Sequence, residues 1–159
     1  MKIDKEFTEI CEKLNEYEVK YVVCGGYAAK LPGIEDISKQ ERKTLDYDFI
    51  VESLKENIEK IKEALKKINP KIKELRNDDL NKYSTVMIVS ENERYFDTDL
   101  ISSVWSINYK KAHQDMVIKE VNGVRIPVVS IDKLLEMKKD SIRSRDITDT
   151  YWLKKIKKQ

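Results

Sequence analysis

Apolar and polar positions alternate along the chain in patterns that divide it into helices and strands. Over residues 4 to 18, Phe7, Ile10, Cys11, Leu14 and Tyr17 recur at helical spacing with charges between them, which predicts an amphipathic helix. The apolar run Tyr21-Val22-Val23-Cys24 stops abruptly at Gly25-Gly26, as a buried strand does on entering a tight turn. A small helix is expected to start near Tyr27 and to break at Pro32-Gly33. The polar stretch from 34 to 43 reads as a loop. A second strand, LDYDFIV, spans residues 45 to 51. Ser53 and Glu56 then form a capping box for a helix with Leu54, Ile58, Ile61, Leu65 and Ile68 on its apolar face, ended by Asn69-Pro70. Residues 71 to 82 are too polar to assign.

YSTVMIVS and RYFDTDLIS, separated by Glu91-Asn92-Glu93, predict an antiparallel hairpin. The segment SVWSINYKKAH from residue 103 is ambiguous. MVIKEV and VRIPVV predict a second hairpin, turning at Asn122-Gly123, the strongest short turn signal in the chain. Two helices follow, over 131 to 142 with Ser130 as cap and over roughly 145 to 157. No repeat, linker or low-complexity segment interrupts the order, so one α+β domain over residues 1 to 159 accounts for it.

Composition narrows the chemistry. The 31 Lys and Arg nearly cancel the 29 Asp and Glu, so a site for anions has to be local rather than a property of the whole surface. Two cysteines, Cys11 and Cys24, are too few for a disulfide framework, and with His113 as the single histidine they leave no zinc-hydrolase ligand set. The N-terminal residues have no apolar signal core and no stretch approaches the ~18 apolar residues of a membrane span. A soluble protein of a reducing cytoplasm, with no membrane partner, is the expectation.

The informative residues are acidic. Side chains two apart on a strand share a face, so Asp46 and Asp48 point one way while Leu45, Tyr47 and Phe49 point the other. The strand runs on into Phe49-Ile50-Val51, which reads as core, and adjacent carboxylates there repel each other and resist desolvation. A divalent cation offsets that cost; magnesium takes oxygen ligands, commonly one or two carboxylates plus substrate phosphates. Asp97 and Asp99 repeat the pattern ahead of Leu100-Ile101. One such pair is more often a solvated strand end than a site. Two pairs on two core-like strands favour metal, and a third carboxylate beside the first pair lets two ions be held. Haloacid-dehalogenase phosphatases also carry an Asp-x-Asp, but after a hydrophobic strand and with Thr or Val where Ile50 stands, and sugar transferases leave the Gly-Gly turn unexplained.

Gly25-Gly26, Asp46 with Asp48, and Asp99 (Asp97 being the alternative) resemble the DNA polymerase beta superfamily of nucleotidyltransferases: a Gly-Gly or Gly-Ser turn, an Asp-x-Asp strand and a later Asp. Arg42-Lys43-Thr44-Leu45-Asp46-Tyr47-Asp48 is similar to the Arg-x-Thr-x-Asp-x-Asp signature of the abortive-infection toxin (AbiEii-like) branch. The C-terminal order of Pro127-Val128-Val129-Ser130, Lys138, Arg145-Asp146 and Asp149 is similar too. The resemblance covers residues 10 to 153 and implies an α+β nucleotidyltransferase fold, with a mixed, mostly antiparallel sheet of about five to six strands and helices packed on it. It implies transfer of a nucleoside monophosphate from a nucleoside triphosphate to a hydroxyl or phosphate of RNA, a protein or a small molecule, or else a non-catalytic binding module such as a toxin–antitoxin component with an antitoxin partner. By the same resemblance, Asp46, Asp48 and Asp99, with Asp97 in reserve, are expected to be the catalytic and metal residues for two Mg2+ ions. Gly25, Gly26, Arg42, Thr44 and Lys138 are the nucleotide-binding ones. The stretch from Gly26 to Asp46 is longer than in minimal members, and glycine replaces the serine that often follows the first Gly.

Lys138 falls on the apolar stripe of its helix, four after Leu134 and four before Ile142. A buried lysine needs a partner, so it either snorkels to the surface or reaches the triphosphate or a catalytic Asp. Arg143 and Arg145 are further candidate cations, with Asp146 and Asp149 as ordinary ion-pair partners nearby. Tyr47, Trp105, Tyr151 and Trp152 are expected as core or helix-packing aromatics. The tail lysines from Lys154 to Lys158 are expected to be a solvated helix end and His113 a surface residue.

Overall fold

The computed structural model describes residues 4–44, 46–90 and 96–159. Helix α1 (Lys5–Glu16) begins where the Asp4 carboxylate accepts the Glu6 amide hydrogen at 2.8 Å. It buries Phe7, Ile10, Cys11 and Leu14, as its spacing predicts, while Tyr17 remains partly exposed. Each such apolar side chain, fully buried, contributes roughly 1.5–3 kcal/mol. The chain then enters strand β1 (Tyr21–Cys24), buried at every position because sheet neighbours and helices cover it on all sides.

Helix α2 (Gly25–Lys30) follows β1 without a connecting loop, starting two residues ahead of the expected point. The stretch from 34 to 43 is not all loop. Helix α3 (Ile34–Ser38) occupies its first half, with Gly33 at φ 109° as its entry and buried Ile34 as its anchor. Two apolar residues three apart, Ile34 and Ile37, among eight polar ones are too few to set a period, so the pattern hid this helix. Strand β2 (Asp46–Val51) follows, and then helix α4 (Lys55–Leu65). The expected capping box is not formed: Leu54 is the N-cap residue, makes no side-chain cap bond and is largely exposed instead of joining the apolar face. Asn57 does the anchoring, its side chain bonding the backbones of Lys20 and Glu52.

A 3-10 turn (Pro70–Glu74) and the short helix α5 (Asp79–Lys82) fill the stretch left unassigned. Strands β3 (Thr85–Ile88) and β4 (Asp97–Ile101) pair antiparallel as expected, although their turn at 91 to 93 lies outside the described residues. The ambiguous segment resolves into a two-residue ribbon, β5 (Ser103–Val104) with β6 (Ile107–Asn108), and helix α6 (Tyr109–Gln114), whose first turn Asn108 caps. Strands β7 (Val117–Val121) and β8 (Val124–Val128) turn through Asn122 at φ 52° and Gly123 at φ 81°. Helix α7 (Ile131–Lys138), capped by Ser130, stops four residues short of the expected end, and α8 (Ser144–Lys157) closes the chain.

The main sheet has the order β3-β4-β2-β1-β8-β7. Three of its pairings are antiparallel; β2 with β4 and β1 with β8 run parallel. On one face Phe7 of α1 stacks near Phe49 and Tyr47, with ring centroids at 5.9 and 5.7 Å. Alternation therefore turns Asp46 and Asp48 to the other face, where α7 lies. Among the described residues no helix is long and apolar enough to cross a membrane.

Candidate active site

The parallel pairing of β2 and β4 brings the two acidic strand starts side by side. Asp46 stands across from Asp97, and Asp48 across from Asp99. Asp48 and Asp99 stand next to each other on the same face of adjacent strands, close enough for each carboxyl to act on the other. Burial, the Asp99 contact and the Asp46 charge hold the Asp48 proton on well above the usual carboxylate range, against the pull of Lys138. Asp99 is raised as well, chiefly by burial. One of its oxygens, Oδ1, is buried with no hydrogen-bond partner among the described residues. Asp97 instead accepts the Ser90 amide hydrogen at 2.8 Å, which engages its Oδ1 with the neighbouring backbone. Of the two candidates for the third carboxylate, the one in contact with Asp48 is Asp99.

Gly25 sits directly over this pair. It has φ +68°, a conformation glycine adopts without strain, and a Cβ there would fall 2.0 Å from Asp48 Oδ2. No other residue lets the turn approach the carboxylate so closely. At Gly26 a Cβ would meet Thr44, 2.7 Å from Cγ2 and 2.9 Å from Oγ1. Thr44 is itself buried, and its hydroxyl has no partner among the described residues.

A cleft of about 200 Å³ opens beside the pair, lined by Gly25 and Asp48 on one side and by Ile101, Val104, Leu134 and Met137 on the other, with Lys138, Arg143 and Asp146 at its end. The apolar wall was not foreseen, because Val104 belongs to the segment whose pattern is ambiguous. Cys24 also lines it, its thiol pushed up by burial and therefore unreactive. Trp105 is no packing aromatic. At the tip of the β5–β6 ribbon, with φ 53°, it donates its indole N–H to the Met137 carbonyl at 3.4 Å and leaves 74% of its surface exposed. Tyr151 is likewise half exposed, with Lys155 over its ring, whereas Tyr47 is fully buried.

The cations behind the cleft form a network. Arg42 grips Asp149 with two bonds of 2.8 Å, through Nε and Nη2. Lys138 Nζ lies 3.0 Å from Asp146 Oδ1 and 3.1 Å from Asp149 Oδ2, almost out of solvent. Ser141 and Arg143 donate to Asp146 Oδ2. Asp146 and Asp149 are held below the usual carboxylate range despite their burial, by hydrogen bonds from Arg143 and Arg42 first. Lys138 thus neither snorkels nor stands free for phosphate. It is a fixed charge behind Asp48, and Asp149 pairs with Arg42 and Lys138 rather than with its sequence neighbours. Arg145 is exposed and away from the cleft lining, as is His113.

Among the described residues no three His, Cys, Asp or Glu side chains form a group that holds a metal ion by themselves. The donors that are present suit a cation completed by other ligands: a buried carboxylate oxygen on Asp99 unpartnered among the described residues, two adjacent carboxyls whose repulsion a divalent charge would relieve, and oxygen atoms throughout.

No family model and no curated protein sequence matches the chain. Its fold does match that of lincosamide antibiotic adenylyltransferase LnuA, in a crystal structure with lincomycin bound. The TM-score is 0.64 at 17% identity, over 97% of this chain and 98% of that one. The chain therefore has the α+β fold of a nucleotidyltransferase, with a six-stranded, mostly antiparallel sheet.

Proposed function

We propose that the protein is a metal-dependent nucleotidyltransferase that moves a nucleoside monophosphate from a nucleoside triphosphate to an acceptor hydroxyl. The observation that carries this is the pairing of Asp48 with Asp99 on adjacent parallel strands beneath the Gly25 turn, with Asp99 Oδ1 buried and unpartnered among the described residues. Structural ion pairs do not bring two carboxylates together out of water; a centre that receives cations does.

Asp48 and Asp99, with Asp46 beside them, would hold magnesium, which supplies charge neutralisation for the triphosphate and the developing transition state. The Gly25-Gly26 turn lets the phosphates come close to the backbone. Asp99 Oδ1, unpartnered, takes the proton from the acceptor hydroxyl. The acceptor oxygen then bonds to the α-phosphorus, the bond to the bridging oxygen breaks, and pyrophosphate leaves with that electron pair. Lys138 and Arg42 act through Asp146 and Asp149 to fix the floor of the site. Such catalysis is positioning and electrostatics, which this inventory provides without a nucleophile.

The apolar wall of Ile101, Val104, Leu134 and Met137 favours a small acceptor with an apolar body. A hydroxylated small molecule is in keeping with the antibiotic adenylyltransferase that shares the fold. RNA and protein are the competing acceptors, and a non-catalytic module that binds an antitoxin is the competing reading. The test is a screen of the four labelled triphosphates with magnesium against total RNA and a panel of hydroxylated small molecules. Label is expected on one acceptor class with the native chain and on none with Asp48→Asn/Asp99→Asn. Incorporation that survives the double change would end the reading.

A further inference from the structure

Opposite an acidic wall, a triphosphate needs a cation, and three side chains border the cleft or its floor. Two of them are already held by carboxylates behind the cleft. Arg42 gives Nε and Nη2 to Asp149 and Nη1 to the Lys43 carbonyl. Lys138 is held between Asp146 and Asp149 and is 9% exposed. Arg143 differs in kind. Only its Nε is bound, to Asp146 Oδ2 at 2.9 Å, and its side chain is 74% exposed where it lines the cleft with Gly25 and Asp48. Neither Nη has a partner among the described residues.

The anchor beneath it is rigid. Asp146 is 5% exposed and receives Lys138 on one oxygen and the Ser141 hydroxyl, at 2.7 Å, on the other. An exposed arginine ordinarily samples many rotamers. One tied at Nε to a buried, triply bonded carboxylate keeps its two outer nitrogens forward. That fork matches a pair of phosphate oxygens, whereas a lysine has a single head group and cannot hold Asp146 and reach the ligand together.

We propose that Arg143 is the phosphate-binding residue of the cleft, its Nη1 and Nη2 taking the β- and γ-phosphate oxygens of the nucleoside triphosphate and then those of the departing pyrophosphate. Asp146 is its positioning residue, and Lys138 holds Asp146 and Asp149 and makes no phosphate contact. This rests on the nucleotidyl-transfer reading and moves the phosphate contact from Lys138 to a residue five positions on.

The experiment is calorimetric titration of the full chain with inorganic tripolyphosphate in magnesium buffer. Arg143→Gln is expected to weaken binding at least tenfold while its melting temperature stays near the native value, since the side chain is exposed. Arg143→Lys is expected not to restore it. Arg125→Gln, the same charge change in a groove away from the acidic pair, is expected to bind as the native chain does. Native binding that Arg143→Gln leaves within twofold would overturn the assignment while sparing the reading it rests on. A native chain that binds no tripolyphosphate would overturn both.

Discussion

Gly25 and Asp48 approach so closely that a methyl group on residue 25 would overlap the carboxylate, with Cβ 2.0 Å from Oδ2. The positive φ of the glycine adds a second barrier to any side chain. Gly25→Ala is therefore expected to displace Asp48 from Asp99 and to remove magnesium-dependent nucleotide binding. The strain costs about 1–3 kcal/mol of stability. Denaturant unfolding and nucleotide titration of the same variant check both. A variant that binds nucleotide normally would show that the turn does not shape the site.

Gly26 tests the same turn differently, because its crowding comes from Thr44 and not from its own backbone. Gly26→Ala is expected to destabilise the protein, as the new Cβ would fall 2.7 Å from Thr44 Cγ2. Thr44→Ala in the same chain is expected to recover most of that loss, giving a coupling of about 1–2 kcal/mol in a double-mutant cycle. Additive losses would contradict the contact.

The acidic strand starts, the glycine turn and both hairpins were legible because each depends on local signals. Asn122-Gly123 selects its turn by backbone preference, and Asp46 and Asp48 share a face by alternation. Which carboxylate joins them was not legible. It depends on β4 lying parallel beside β2, a long-range pairing that puts Asp99 against Asp48 and leaves Asp97 to Ser90. Lys138 was visible as an anomaly on an apolar stripe, but its partners come from α8 and the network reaches back from Asp149 to Arg42, 107 residues earlier in sequence. Trp105 misled because a large aromatic is usually buried, while its ribbon leaves it at the tip.

The ion network behind the site predicts a large stability effect. Lys138→Met leaves Asp146 and Asp149 buried with one fewer cation, and breaking such a buried pair costs about 3–5 kcal/mol. Because both carboxylates have depressed pKa values, their contribution is complete above the unfolded value of about 3.9 and is lost as pH falls below it. Native and Lys138→Met chains are thus expected to differ most near neutral pH, with the gap beginning to narrow only as pH falls below about 3.9. Urea unfolding across that range is the check, and a pH-independent gap would contradict it.

Glu6 predicts the opposite slope. Burial raises its pKa from 4.5 to about 7, against a stabilising bond from the Tyr47 hydroxyl at 3.0 Å. A raised carboxylate favours the folded state below the unfolded pKa and loses that advantage as pH rises through about 7. Glu6→Gln is expected to be more stable than the native chain at pH 8, by on the order of 1 kcal/mol once its partial contact with solvent is discounted, with the difference gone by pH 5. Thermal melts at the two pH values decide it, and equal differences at both would refute the assignment.

The central claim is that Asp48 and Asp99 together receive a divalent cation with a nucleoside triphosphate. Manganese, substituted for magnesium, reports this directly through its paramagnetic resonance in the presence of a non-hydrolysable ATP analogue. The native chain is expected to bind manganese in an ATP-dependent manner, and Asp48→Asn/Asp99→Asn to lose that binding while remaining folded. Equal manganese binding by the two chains would contradict the account.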